Sequence, residues 1–566
     1  MTRIIAILLL IVIGNVLTVG AQEAAAPNWV SKVQKSLLSV ATYDQAGNPL
    51  RSGTAFYISA DGDAVADYSL FKGAYRAVVT DASHKTHIVE RILGADDTYG
   101  LVKFRVADVK KATPVERPAA AGPARESMVF VLKYSADKIK NCPSARISEV
   151  KPIADECPYY TLTYAPDETY VGAPVFNASG AWVATLQPSM GLNGYAVGAE
   201  MSEGLSIRAI TSKVNNLALE SIHIPKGLPD TAEEALVYLY IKSQTMDNDE
   251  YLDVLNLFIT TYPDNAEGYS RRATLYIDLH RFDESNADLQ TYIRLSGDKA
   301  VANAKTADII YTKLLYQSDV EYEPWTYDTA LGYIDAALGE HPDDINYRLQ
   351  KAQILMGKRD YSSAYDIYRQ INSSPDRSAS TLYAASLALE AMGDTTDMQI
   401  LLMDSAIATF PTPLPAEAST YILRRGQLYA NAGRYREAVG DYNQYVFLNS
   451  QKVNHTFYYD RARLELNAKM FQQSLDDLNK AISLAPNVPI YYIEKCALLL
   501  RVNELDDCIQ TARQVLRLAP NKADAYRIMG YAQIQKGDKT SGRQSLEQAV
   551  KLGDTTAQSI IDKYLK

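Results

Sequence analysis

The chain has 566 residues, enough for three or four domain-sized units or for one domain followed by a repeat array. Apolar residues make up 47% and charged residues 22%, which excludes wholesale disorder and a collagen-like chain. A formal net charge of −10 leaves no basic surplus to meet phosphates, so a general nucleic-acid binder is excluded too.

The first predicted element is an export signal over residues 1–21. Arg3 precedes an apolar run over 4–19, which is broken by Gly14 and Asn15. Val19-Gly20-Ala21 then supplies the small residues that a signal peptidase reads. The run is shorter than the about 20 apolar residues a membrane helix needs, and no later stretch is long and apolar enough. The mature chain is expected to start near Gln22, outside the cytoplasm, with an uncleaved anchor as the alternative.

Residues 28–222 read as many short strands. Gly53–Ser59, Ala77–Thr80, Ser127–Lys133 and Ala181–Leu186 are rich in β-branched and aromatic types and are punctuated by Gly, Asp, Asn or Pro. Frequent short strands point to a barrel or a sandwich. Residues 223–232 read as a linker, with Gly227 and Pro229 as breakers.

From residue 233 the strands give way to paired amphipathic helices with a period near 34, as between Pro486 and Pro520. About nine pairs fit into 233–566. Small residues stand at 273, 352, 426, 462, 496 and 530 (Ala273, Ala352, Gly426, Ala462, Cys496, Gly530). Each is answered twelve residues on, by Ser285, Ala364, Ala438, Ser474, Cys508 and Gly542. The pattern resembles the tetratricopeptide repeat, which keeps small residues at these two positions. Two antiparallel helices cross there, and a large side chain would push them apart.

That resemblance implies a groove lined by the first helix of each pair. In the best-registered units its inward positions carry Thr420, Gln427, Asn431, Tyr459, Arg463, Asn467, Arg501, Arg527, Tyr531 and Gln535. A polar and cationic groove with Tyr walls suits an extended or acidic peptide. Ordinary solvated positions are the alternative reading.

Four cysteines are too few for a disulfide scaffold and lack the spacing of a zinc site. Cys496 and Cys508 occupy both contact positions of one repeat. They are either two small core thiols or a disulfide worth about 3 kcal/mol. Cys142 and Cys157 flank a predicted hairpin around Arg146–Val150, and a disulfide is expected there in an oxidising compartment.

Four segments of the strand-rich half stand in a telling order. The first, Gly53–Ala74, carries the Asp61-Gly62 turn and Gly73-Ala74. Leu93–Val106, Thr169–Ala184 and Gly194–Gly198 follow. Together they are similar to trypsin-like serine peptidases, especially the bacterial high-temperature-requirement branch, over about residues 30–215. The resemblance implies a double β-barrel. It also places the family's general-base His on Ser69, the orienting Asp on Gly100 and the nucleophilic Ser on Val171. Amide hydrolysis needs an activated nucleophile, a base and a group that fixes the base's tautomer. Val171 offers no nucleophile, Ser69 takes up no proton at neutral pH, and Gly100 has no side chain. Thr169, in place of a family Gly, also puts the oxyanion hole in doubt. The segment's two histidines, His84 and His87, read as part of an exposed hairpin turn.

The predicted fold class is multidomain α+β: an N-terminal trypsin-like double β-barrel and a C-terminal all-α tetratricopeptide-repeat solenoid. The expected function is an exported, non-catalytic protein-interaction scaffold in a bacterial periplasm or cell envelope, or secreted. It has a protein or peptide partner, no nucleic-acid partner, no metal and no cofactor. An active trypsin-like peptidase with a substrate-recruiting repeat arm is the alternative, and a self-assembling structural envelope protein is a third.

Overall fold

The computed structural model describes residues 23–119, 122–153, 157–189, 191–209, 213–449 and 453–565. The predicted signal over 1–21 therefore lies outside the described residues. The chain divides into two compact units, 1–296 and 297–566.

The first unit opens with β1 (Glu23–Ala25), which pairs antiparallel with the start of β9 (Asn141–Pro152). Six strands then close the first barrel: β2 (Leu37–Tyr43), β3 (Pro49–Tyr57), β4 (Asp63–Asp67), β5 (Arg76–Thr80), β6 (Thr86–Asp96) and β7 (Leu101–Val106). They neighbour one another in the order β2-β3-β4-β7-β6-β5. The second barrel is built from β8 (Met128–Val131), β9, β10 (Pro158–Leu162), β11 (Pro174–Asn177), β12 (Trp182–Gln187) and β13 (Gly194–Gly198). It closes through the β8–β9 pairing.

The period of two along each strand sorts the apolar residues into three cores. Leu38, Val40, Ala64, Ala66, Val79 and Phe104 fill the first barrel. Val129, Val131, Ile147, Leu162, Val175 and Leu186 fill the second. Their outward neighbours Leu37, Phe56, Val65 and Leu101 meet Leu132, Phe176, Trp182 and Val197 in a third core between the barrels. The ring of Phe56 stands edge-on to that of Trp182, with centroids 5.2 Å apart.

The predicted linker is anchored to the first barrel along its first half. His223 N–H donates to the Ala74 carbonyl (2.8 Å), Ile92 N–H to Pro225 (2.8 Å) and Gly227 N–H to Ile92 (2.7 Å). The Lys226 amine donates to the carbonyls of Ile222 (2.5 Å) and Ile224 (2.6 Å), and burial pulls its pKa down to about 8.

Helices follow in pairs. The first unit holds α1 (Val30–Val33), α2 (Tyr68–Phe71), α3 (Ala199–Glu203) and α4 (Lys213–Glu220) among the barrels. Its first repeats are α5 (Ala232–Lys242), α6 (Asn248–Thr261), α7 (Ala266–Asp278) and α8 (Phe282–Leu295). The second unit begins with α9 (Lys299–Tyr316), α10 (Tyr327–Glu340), α11 (Ile345–Lys358), α12 (Tyr361–Asn372), α13 (Ala379–Ala391) and α14 (Thr396–Ile407). It continues with α15 (Ser419–Asn431), α16 (Tyr435–Asn449), α17 (His455–Asn467), α18 (Phe471–Leu484), α19 (Pro489–Arg501) and α20 (Leu505–Leu518). The chain ends with α21 (Ala523–Gln535), α22 (Lys539–Lys551) and α23 (Thr555–Tyr564). From α5 to α22 these make nine pairs among the described residues, and α23 closes the array. Starts are set by caps: Thr231, Asp247 and Asn265 each accept a backbone N–H of the helix that follows.

The small-residue positions meet as the helix-crossing argument requires. Ser285 Oγ donates to the Ala273 carbonyl (2.7 Å) and Ser474 Oγ to that of Ala462 (2.8 Å). A β-carbon on either Gly530 or Gly542 would lie 2.9 Å from the other's carbonyl oxygen. No described helix is long and apolar enough to cross a membrane.

The cysteines correct the disulfide expectation. All four are buried thiols, and no disulfide joins them. Residues 141–152 form one continuous strand, so the hairpin turn lies beyond Arg146–Val150. Cys157 pairs beside Ile153, at the far end of β9 from Cys142. Cys496 and Cys508 do face each other, but each thiol donates to the other's carbonyl (3.7 and 3.4 Å). Burial pushes both thiols up, Cys508 to about 12, which makes them core residues without thiolate character.

Candidate functional site

Two of the three positions that the peptidase resemblance assigns to a triad, Ser69 and Gly100, flank one buried carboxylate, Asp67. It ends β4, is 3% exposed, and caps α2 by accepting the Ser69 N–H (2.8 Å) and the Ser69 hydroxyl at Oδ1. Burial raises its pKa, against the pull of the Ser69 hydrogen bonds. Gly100 sits on its other side: its carbonyl accepts the Tyr68 N–H (2.9 Å). A β-carbon at Gly100 would stand 3.3 Å from Asp67 Oδ2 and 3.9 Å from Gln187 Oε1. Gln187 is buried, and its Nε2 has no hydrogen-bond partner among the described residues.

Val171 reaches the same place through its neighbour. Gly172, at φ +77°, lies so close that a β-carbon there would be 2.7 Å from the Asp67 backbone nitrogen. Only glycine allows both that angle and that approach. The sequence reading missed Asp67, which stands two residues before Ser69. Its signal was an acid in a buried-strand pattern two residues before a Ser.

The loop before Val171 spends its own donors. Glu168–Tyr170 form one 3₁₀ turn capped by Asp167. Thr169 N–H donates to Asp167 Oδ1 (2.9 Å), Tyr170 N–H to the Asp167 carbonyl (3.0 Å) and Val171 N–H to that of Glu168 (3.2 Å). An oxyanion hole needs such N–H groups free and convergent. Lys133 closes the loop from the side, donating to Thr169 Oγ1 and lying 4.3 Å from the Tyr170 ring centroid. The Thr169 hydrogen bonds, and then Lys133, hold the Asp167 carboxyl below its usual range.

Among the described residues, no imidazole hydrogen-bonds to the side chain of Ser69 or of Asp67. His84 is exposed in the β5–β6 turn, with φ +64°. The His87 side chain is 7% exposed, and its Nε2 lies 3.4 Å from Asp81 Oδ2. His87 therefore belongs to β6 with its side chain buried, where an exposed turn was expected. Among the described residues no group of His, Cys, Asp or Glu is arranged to hold a metal ion.

The helical half offers a second candidate surface. Gln427, Asn431, Arg463, Asn467 and Arg501 are exposed on first helices of their pairs, as are Thr420 and Gln535. Arg463 lies 5.9 Å from the Tyr459 ring centroid, and Tyr459 packs on Tyr491 at 4.9 Å. Arg501 lies over Phe471 at 5.2 Å. Arg527 and Tyr531 depart from the groove reading, because the end of the array engages them. Arg527 pairs with Asp554 (2.6 Å) and Asp524 (2.7 Å), and the Tyr531 hydroxyl lies 3.4 Å from that of Tyr564.

A cavity lies elsewhere in this array, between α9 and α11, with a volume of about 500 Å³. Val301, Ala304 and Leu349 contribute apolar surface. Lys305 and Asp308 stand on α9, facing Asn346, Tyr347, Gln350 and Gln353 on α11. α9, with 18 residues, departs from the regular helix length of the array, which hid this cavity from the sequence pattern. Its signal was the spacing of Asn346, Gln350 and Gln353, which puts three amides on one helix face.

Comparison with known proteins fits this geometry. The tetratricopeptide repeat family profile matches residues 423–489, which span α15 to the start of α19. The helical half carries tetratricopeptide repeats. The E3 ubiquitin-protein ligase CHIP of Arabidopsis thaliana is 29% identical over 83 residues, 15% of this chain and 30% of that protein. The small glutamine-rich tetratricopeptide repeat-containing protein 2 of Mycosarcoma maydis is 29% identical over 72 residues, 13% of this chain and 20% of that one. The chain thus spans less than a third of either relative's length. Tetratricopeptide arrays present surfaces to protein partners, so protein interaction is the coarse function of this half.

Proposed function

We propose that this protein is an exported, non-catalytic protein-interaction scaffold, in which a trypsin-like barrel pair has lost its peptidase chemistry and a tetratricopeptide array recruits a partner. The observation that carries the reading is the meeting of Ser69, Gly100 and the Val171 loop around Asp67, with no imidazole bonded to that carboxylate among the described residues. Two six-stranded barrels packed through a shared apolar core support the trypsin-like part. The internally bonded N–H groups of 169–171 support the loss of transition-state stabilisation. Loss of a serine nucleophile or its base alone costs about 10⁶ in turnover in a well-studied serine peptidase.

Export is supported by the charged, apolar and small-residue order of residues 1–21. Strand β1 begins just after the predicted cleavage site, so a cleaved chain keeps that strand whole. The direct test is casein hydrolysis by the purified mature protein. No cleavage above background is expected. Cleavage that disappears in Ser69→Ala or Asp67→Asn would establish the active-peptidase alternative instead.

A further inference from the structure

The neighbours of β9, a strand of 12 residues, cover it unevenly. β1 pairs with it at Asn141–Pro143 and β8 at Ser144–Arg146. Ile147 faces Leu162 of β10 across one edge. Across the other edge its N–H donates to the Ser127 carbonyl (3.0 Å), and its carbonyl accepts the Glu126 N–H (2.7 Å). There the β8 side stops, because the chain turns at Ala124–Ser127, where Ser127 N–H donates to the Ala124 carbonyl (3.2 Å). Among the described residues, Glu149–Pro152 pair with β10 alone. A strand open on one edge presents backbone donors and acceptors to any chain that can lie beside it.

The side chains on this stretch are uncovered too. Val150 is 39% exposed, a large apolar side chain in solvent, and Glu149, Lys151 and Pro152 are exposed beside it. Glu149 and Lys151 share one face of the strand, with Lys151 Nζ 3.0 Å from Glu149 Oε2. The order acid, valine, base is its own complement when reversed. An antiparallel second copy centred on Val150 sets Glu149 of each chain opposite Lys151 of the other, and the two valines opposite each other. Centring on Glu149 would oppose two acids, and centring on Lys151 two bases, so the charges choose the register. A lysine and a proline on an open edge disfavour pairing with an unrelated strand. A second copy supplies the acid that Lys151 needs, and Pro152, without an N–H, removes a donor only at the end of the pairing.

We propose that the open edge of β9 at Glu149–Lys151 is a self-association surface, on which a second copy of this chain pairs antiparallel about a two-fold axis at Val150. The proposal goes beyond the scaffold reading and does not rest on it. Ser148–Pro152 is a small patch beside the about 20–30 residues a side of a standard interface, so the dimer is weak and forms with rising concentration.

Sedimentation equilibrium of the full mature chain, from about 5 to about 500 µM, reads this association. Four proteins are compared: the parent, Glu149→Lys, Lys151→Glu, and the double variant Glu149→Lys/Lys151→Glu. Both positions are exposed, so unchanged thermal melting is the check on folding. The parent is expected to pass from monomer to dimer over this range. Either single reversal opposes like charges twice across the two-fold axis and is expected to weaken the dimer about tenfold or more. The double variant restores the complement and is expected to return to the parent's dissociation constant, which neither a folding defect nor another interface would produce. A parent that stays monomeric throughout, a dimer indifferent to the single reversals, or a double variant that fails to recover would each overturn the proposal and leave the scaffold reading standing.

Discussion

Arg425 holds three helices at once. Its Nε and Nη2 fork onto Asp441 of α16 (2.9 and 2.7 Å), and its Nη1 reaches Asp404 of α14 (2.7 Å). Arg272 repeats the fork onto Asp288 and reaches Asn256. Arg461 does the same with Asp477 and Asn443. In each case the Asp lies sixteen residues after the Arg. A planar guanidinium fits a carboxylate at two points, which a lysine cannot match. Arg425→Ala leaves the Asp441 carboxylate, 9% exposed, without its counter-charge. The expected cost is about 3 kcal/mol in urea unfolding, whereas Arg369→Ala, in an exposed pair, has no measurable effect. Glu465 sets a second expectation. It is 3% exposed, lies 3.9 Å from Arg461, and has Oε2 unpaired. Burial, then the nearby Asp477 charge, pushes its carboxyl up to about 8. The folded chain therefore holds this proton more tightly than the unfolded one. Its contribution is full below the unfolded value of 4.5 and is lost as pH rises through about 8. Glu465→Gln is expected to flatten that fall and to melt above the parent at about pH 9. A parallel fall in both proteins would contradict the assignment.

At the scale of elements, the repeats were legible because one physical constraint recurs. Close helix crossing demands small residues, and Ala273/Ser285 and Ala462/Ser474 meet where their spacing puts them. The strands were legible as short apolar runs, but their register was not. That is why the pattern suggests a hairpin within β9 and a bond between Cys142 and Cys157, neither of which the fold contains. Strand length depends on which neighbours supply hydrogen bonds, and those come from β1 and β8 as well as from the adjacent β10. For Cys496 and Cys508 the facing geometry was correct and only the bond was absent. All four thiols are expected to resist maleimide in the folded protein and to react fully after denaturation without reductant. Fewer than four reactive thiols would restore the disulfide reading.

At the scale of the whole molecule, a strand-rich half and a helical array could be read from patterning, since short apolar runs and pairing by 34 are visible in one sequence, while the double barrel was implied by the peptidase resemblance alone. What surrounds the triad-equivalent positions could not be read. Asp67, Gly172 and Gln187 come from three distant segments, and only the barrels' packing brings them beside Gly100. The α9/α11 cavity was hidden for a similar reason, because α9, with 18 residues, breaks the regular repeat. The central claim is that the Ser69–Gly100–Val171 site keeps a peptidase frame without its reaction. A fluorophosphonate probe, applied in excess to the intact mature protein and read by mass spectrometry, tests it most directly. The account predicts no adduct on any residue of the barrels, even after long incubation. A single stoichiometric adduct on a serine of either barrel, lost on prior heating, would contradict it.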